Sequence, residues 1–304
     1  MILIKPVKIT DAMLGACNIS EPSTSDPLAW SASTTYALGV RVCITSTHKI
    51  YQSLQAGNAG HAPTGLITDL YWQYVGPTNR WNLFDESIST QATNATSIDV
   101  TLYPSGRIDS VSLLNVSAQS ARVIMIDTKT GTNVYDKTIK LASNSNITDW
   151  FSYFYEPIKR KSDLVFSNLP PYSDPTIRVI LYESSGVTVK CGAIVTGLSQ
   201  EMGGTQYGAK VGISDYSVKK QDDFGSYTVL QRAFRKTANF TLQVNSDYVD
   251  QLHTLLSGLR STPIVFVGSD DYASSIIYGF YKDFSVTIAY PTVSICSIDI
   301  EGLT

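Results

Sequence analysis

RAFRKTANFTLQVNSDYVDQLHTLLSGLRSTPIVFVGSDDYASSIIYGFYKDFSVTIAYPTVSICSIDIEG, residues 232–302, changes hydrophobic period twice. Phe240, Leu242 and Val244 alternate with Asn239, Thr241 and Gln243, the pattern of a half-buried strand. Ser246 then offers an N-cap oxygen to a first turn carrying Asp247 and Asp250, acidic residues that suit the positive end of a helix. Val249, Leu252, Leu255, Leu256 and Leu259 fall on one helical face, and Gly258, Arg260 and Pro263 supply the stop. Strands are expected at Ile264–Val267, Ile276–Tyr281, Phe284–Tyr290 and Val293–Ile300. The pattern is that of a scaffold; no residue type in it points to catalysis.

A strand pair, one amphipathic helix and a final strand ending Ile298-Asp299-Ile300-Glu301-Gly302-Leu303 is similar to the tail-tube-like domains of bacteriophages. Those domains also occur in distal-tail and baseplate-hub proteins. The resemblance covers residues 198–304 and implies a β-sandwich crossed by one helix, assembled as a ring. It also implies that the Gly-rich, polar Ser199–Phe224 segment reaches a neighbouring subunit, with Arg232 and Arg235 as candidate assembly residues. Gly203, Gly204, Gly208 and Gly212 match neither a phosphate-binding loop nor a dinucleotide fingerprint, since no Gly-Lys-Ser/Thr and no strand–Gly-x-Gly–helix context accompanies them.

Ala29–Pro77 is the second legible unit. Trp30, Tyr36, Gly39, Val42, Tyr51, Gly57, Pro63, Trp72 and Gly76 follow the spacing of type 3 chitin-binding modules, which this unit resembles. It departs from them at Val40, where the family often has Asp. The resemblance implies a small twisted β module and makes Tyr71, Trp72, Trp30 and Tyr36 candidate carbohydrate contacts. An aromatic face stacks on the C–H-rich face of a pyranose and buries apolar area while the hydroxyls stay wet. A second reading stands beside it, in which Trp30, Tyr36, Tyr51 and Trp72 pack the module's own core. Modules of this kind recur in phage tail proteins.

Between these units, short strands are expected at Ile98–Leu102, Ser110–Val116, Ala121–Asp127, Asn133–Lys140, Ser162–Phe166, Thr176–Glu183 and Thr188–Thr196. No helical period interrupts them, which argues a β-sandwich or jelly roll. Asp149–Pro157, DWFSYFYEP, reads as a sandwich edge or a loop packed over it, with buried aromatics favoured over an exposed binding surface. The fold class is thus mainly β and multidomain: arm and linker 1–27, small β module 28–78, β-sandwich 79–197, tail-tube-like domain 198–304. Ile2-Leu3-Ile4 is read as a β-arm, and EPSTSDP at 21–27 as a linker.

Composition narrows the function classes. Net charge is −3, so no overall basic field exists for nucleic acid, and Lys159-Arg160-Lys161 reads as a solvated loop. No apolar run approaches the roughly 18–20 residues of a membrane span, so membrane insertion is not expected. Cys17, Cys43, Cys191 and Cys296 form no CxxC pair and are read as free thiols. The Asn-x-Ser/Thr sites at Asn18, Asn94, Asn115, Asn146 and Asn239 are chance products of an Asn-, Ser- and Thr-rich chain. His48, His61 and His253 have no partners at metal-ligand spacing, and no nucleophile elbow, HExxH or acid pair is legible. Asp270-Asp271 reads as a hairpin tip before a Ca²⁺ site.

No enzyme activity, metal or cofactor is therefore expected. Charged residues are only 16% of the chain and Tyr leads the aromatics at 18 residues, a balance suited to rigid β surfaces. With the resemblances, this implies a structural virion protein of a phage tail, at the tail tip or baseplate, assembled in the bacterial cytoplasm. Its partners would be other tail proteins and copies of itself in a ring, with a host surface glycan for the small module. The alternative is a carbohydrate-binding adhesin. A polysaccharide depolymerase would call for β-helix repeats, which the sequence lacks.

Overall fold

A computed structural model describes residues 1–143, 147–269 and 272–304. The Asp270-Asp271 pair and the Asn146 site lie outside the described residues. Among the described residues strands take 48% and helical turns 9%, so the fold is mainly β.

Two antiparallel sheets carry most of it. The smaller has five strands in the order Asn133–Lys140, Ser120–Asp127, Pro175–Tyr182, Ser97–Leu102, Leu14–Cys17. Its central strands alternate: Ile98, Val100 and Leu102, then Val123 and Met125, then Ile177, Val179 and Leu181 all point inward and are buried. They pack on Val111, Leu113 and Phe166, which belong to the second sheet. A dry core between two sheet faces is what the period-2 pattern calls for.

The larger sheet runs Leu164–Phe166, Ser110–Leu114, Ala193–Glu201, Ile2–Pro6, Ile264–Val267, Ile276–Thr287, Val293–Gly302, Phe234–Asn245 and Gly204–Thr205. Lys210–Asp215 also pairs with Phe234–Asn245. The sheet is shared between the middle and C-terminal units, and the expected 197/198 division falls inside its Ala193–Glu201 strand. The N-terminal segment is likewise no free arm. Ile2–Pro6 is an inner strand, with Ile2 opposite both Glu201 and Val267. Leu3 packs into the C-terminal core, whereas Ile4 packs with Leu114, Val195 and Val265. Gly197 lies at this seam because a Cβ there would come within 2.0 Å of the Lys5 carbonyl.

The C-terminal helix forms over Val249–Gly258, with Leu252 and Leu256 fully buried against Phe240, Leu242, Phe266 and Ile298. Its entry differs from the sequence reading. A 3₁₀ turn, Ser246–Tyr248, precedes it, and the Asn245 side chain accepts from the Asp247 N–H. The Ser246 hydroxyl instead donates to the Tyr290 carbonyl and meets Ser294 Oγ at 3.0 Å. The two strands expected at 276–290 are one strand with a register shift between Tyr281 and Asp283. A bulge absorbs the polar Lys282-Asp283 break.

Asp149–Pro157 departs furthest from expectation. Trp150–Tyr155 is a short helix, held by a capping box in which Asp149 accepts from the Ser152 N–H at 2.7 Å and Ser152 Oγ accepts from the Asp149 N–H at 3.1 Å. Its aromatics are exposed, not buried. Next to it, Lys159-Arg160 is a short strand paired with Ala142–Ser143, and Arg160 forms an ion pair with the buried Glu183.

Candidate functional site

The small module is built on a three-stranded sheet, Arg41–Ile44, Lys49–Ser53 and Trp72–Pro77. Val42, Tyr51, Trp72 and Tyr36 form its core, and the Tyr36 and Trp72 rings meet edge to face at 5.3 Å. Trp72 is 2% exposed and Tyr36 8%, so neither offers a ring face to a sugar. Both are corrected to core residues: a module this small has too few other large side chains to exclude water. Trp72 Nε1 also donates to the His61 carbonyl at 2.7 Å, which settles its one polar group. Trp30 is half-buried against this core.

Tyr71 remains at the surface, half-buried. The His61 ring stacks on it at 3.5 Å and 12°, so one of its two faces is already covered. The loop that carries Tyr71 is organised by Asp69. Its Oδ1 accepts from the Tyr71 and Trp72 N–H groups, and its Oδ2 from Thr64 N and Oγ1. Partial burial opposes ionisation of Asp69, but these hydrogen bonds outweigh it and hold the carboxyl below its ordinary range. Leu66, Ile67 and Leu70 stand exposed on the same loop.

The module is fastened to the chain around it by a cluster that sequence reasoning missed. His48, in the turn between two module strands, lies between Glu21 Oε1 and Asp11 Oδ2, each at 3.0 Å, and stacks on Trp81 at 4.3 Å. Glu21 also accepts from Thr78 Oγ1 at 2.5 Å, and Asp26 Oδ1 accepts from the Asn79 N–H at 2.7 Å. EPSTSDP therefore does not behave as a loose linker, because its two acids are hydrogen-bonded to the module's exit. The partners are far apart in sequence, and no local signal pairs them.

The second surface is the stretch that follows the large sheet's Ala193–Glu201 strand. From Gly203 to Thr237 not one residue is buried. Within it Val218–Gln221 and Tyr227–Leu230 form a two-stranded hairpin that pairs with no other strand among the described residues, with Val218 opposite Leu230 and Gln221 opposite Tyr227. Val211, Ile213, Phe224, Tyr227, Val229 and Leu230 are exposed along this segment. Of the two arginines read as assembly residues, Arg232 is exposed at the hairpin's base. Arg235 is engaged within the chain, ion-paired to Glu301 at 2.8 Å and set over the Tyr216 ring.

Two internal sites carry charge. A cavity of 220 Å³ between the middle and C-terminal units is lined by Leu114, Asp163, Phe234, Lys236, Tyr278 and Leu303, among others. Lys236 Nζ donates to Asp163 Oδ2 at 2.6 Å, and Asp163 also accepts from Asn115 N and Ser162 Oγ. At the module's other side, burial pushes the Asp85 carboxyl up to about 6, against hydrogen bonds from Ser87 N and Thr90 Oγ1. Among the described residues no group of three or more His, Cys, Asp or Glu could hold a metal ion. The four cysteines are free, and burial pushes the Cys191 thiol up to about 12, which keeps it protonated and unreactive.

Comparison with protein-family models, curated proteins and solved structures finds no match for this chain.

Proposed function

We propose that this protein is a structural subunit of a bacteriophage tail, at the tail tip or baseplate, that assembles with copies of itself into a ring. The observation that carries the reading is the unburied Gly203–Thr237 stretch with its separate hairpin. A two-stranded hairpin alone is marginal in water, and one with exposed Val, Tyr, Phe and Leu on both faces gains stability by packing on a neighbour. A segment that leaves one subunit and lies on the next makes a head-to-tail contact, which generates a ring when the rotation between subunits closes. The large sheet and its helix form the rigid base from which the hairpin projects, and the small module sits outside that base.

The test is the oligomeric state of the purified chain by light scattering, with negative-stain microscopy, against Tyr227→Glu/Val229→Glu and Arg232→Glu. The wild type should form one closed species, the hairpin variant should fall to folded monomer, and Arg232→Glu should weaken the ring without unfolding it. A wild type that stays monomeric at high concentration, with no ring in images, sinks the reading.

A second reading, carbohydrate recognition by the small module, is favoured by one observation: the Tyr71–His61 pair stands at the surface beside exposed Leu66, Ile67 and Leu70. A polymer pull-down or glycan array compares wild type with Tyr71→Ala; absence of binding by the wild type removes it.

A further inference from the structure

The Trp150–Tyr155 helix is an unusual object. Trp150, Phe151, Tyr153, Phe154 and Tyr155 are all exposed, Trp150 at 78%, and exposed Ile158 follows. At about 100° per residue the five rings cover roughly 200° of the helix circumference, leaving Ser152 to the remaining side. Ser152 is the buried one, and it is the residue the capping box uses. The cap therefore holds a convex knob whose outward surface is aromatic. The rings support one another: Trp150 and Phe154 lie nearly parallel, Phe151 leans on Tyr155, and Tyr153 meets Phe154 edge to face.

We propose that this knob is a membrane-contact site that inserts shallowly into the headgroup region of a bilayer containing anionic lipid. Three observations select that occupant. The first is shape. A helix that docks in a protein groove presents a stripe of about 100° repeated over two or more turns, whereas this one is short and aromatic over twice that arc. A flat sugar chain would reach one ring row and leave the others wet. A fluid interface can surround the whole arc. The second is residue type: Trp and Tyr combine an apolar body with a polar edge and settle at the membrane–water boundary. The third is charge. Lys159 and Lys161 follow the helix, and Lys140 adjoins the short ribbon from which it projects, where Lys161 N donates to the Leu141 carbonyl. None of these lysines has a carboxylate partner among the described residues. Asp149 is committed to the cap, which leaves Glu156 as the opposing acid within the segment. A basic collar behind an aromatic tip complements anionic headgroups.

The contact is peripheral. No helix among the described residues is long and apolar enough to cross a membrane, and a knob of this length needs none. The site is also independent of the ring reading, since it uses neither the hairpin nor the large sheet.

The full chain is mixed with vesicles of phosphatidylcholine alone or with added phosphatidylglycerol, and binding is read by co-sedimentation and tryptophan emission. Trp150 is the exposed indole, while Trp72 is buried and Trp30 and Trp81 are half-buried, so a blue shift reports the knob. The wild type should bind the anionic vesicles, shift its emission to shorter wavelength and be quenched by brominated lipid. Phe151→Ser/Phe154→Ser should lower binding by about tenfold or more, and Lys140→Glu/Lys159→Glu should remove the preference for phosphatidylglycerol. Trp150→Phe should abolish the shift while keeping most of the binding. The proposal is overturned if the wild type ignores both vesicles, or binds with unchanged emission, or binds as well after the Phe pair is replaced. Burial of Trp150 through self-association, with no vesicle binding, would overturn it equally.

Discussion

Replacing Lys236 by Met should unfasten the C-terminal unit from the middle one. Lys236 belongs to the Phe234–Asn245 strand, and its acceptor Asp163 precedes the Leu164–Phe166 strand at the far edge of the large sheet. The Asp163 side chain is 5% exposed, so the substitution leaves a carboxylate with little access to water. Breaking one partner of a fully buried pair costs about 3–5 kcal/mol. Here Asn115 N and Ser162 Oγ remain as donors, and Lys236 is itself 31% exposed, so about 2 kcal/mol is the expected loss. Asp163→Asn should cost about 1 kcal/mol, because Lys236 keeps the Ala273 and Ile276 carbonyls at 3.4 Å and can reach solvent. The double variant should be less damaged than the sum of the two, with a coupling of about 1 kcal/mol. Urea titrations followed by two probes, near-UV circular dichroism and proteolysis of the C-terminal unit, measure all four corners of the cycle. Should Lys236→Met lower stability by less than about 0.5 kcal/mol, or the coupling vanish, the pair does not hold the units together and the reasoning fails.

Three further substitutions test other parts of the structure. Burial raises the Asp85 carboxyl to about 6 from an ordinary 3.8, so the folded chain binds more protons than the unfolded one between those values. Stability should therefore fall as pH rises from about 4 to about 6 and level off above it; Asp85→Asn should flatten that slope in thermal melts and gain about 1 kcal/mol at neutral pH, after discounting for partial exposure. A variant whose pH curve runs parallel to wild type would count against it. In the small module, Trp72→Ala should cost about 3–5 kcal/mol and unfold that unit, whereas Tyr71→Ala, at a half-buried ring on the edge of that core, should cost well under half as much. Equal effects, measured by melting and limited proteolysis, would contradict the assignment of Trp72 to the core and Tyr71 to the surface.

Local patterns were the legible part of the sequence. The C-terminal helix follows from its leucine spacing, and Ile264–Val267 from a short β-branched run, because both signals lie within a turn or two of chain. How that helix is entered was not legible: Asn245 and Ser246 are both good caps, and Asn245 caps the preceding 3₁₀ turn because Tyr290 and Ser294 draw Ser246 away. The aromatic helix was missed for a related reason. Five aromatics in six residues have no period, and aromatics are usually buried, so the burial prior gave the wrong side. In the small module, the same Trp serves equally as platform or core at the level of sequence. Only the packing of Tyr36, Val42 and Tyr51 around Trp72 decides it. The His48 cluster and the inner position of Ile2–Pro6 rest on contacts across long stretches of chain, where composition and period carry no information.

The placement of Ile2–Pro6 has a temporal consequence. This strand is synthesised well before its partners, which are residues as far along as Glu201 and Val267. The nascent chain must carry an unpaired Ile-Leu-Ile edge until those partners are made, while the five-stranded sheet can close earlier around its own core. Such late, long-range closure is slow and leaves a sticky edge open to other chains. Chaperone dependence and misassembly during expression should therefore concentrate at the seam where Ile2–Pro6 joins Ala193–Glu201 and Ile264–Val267.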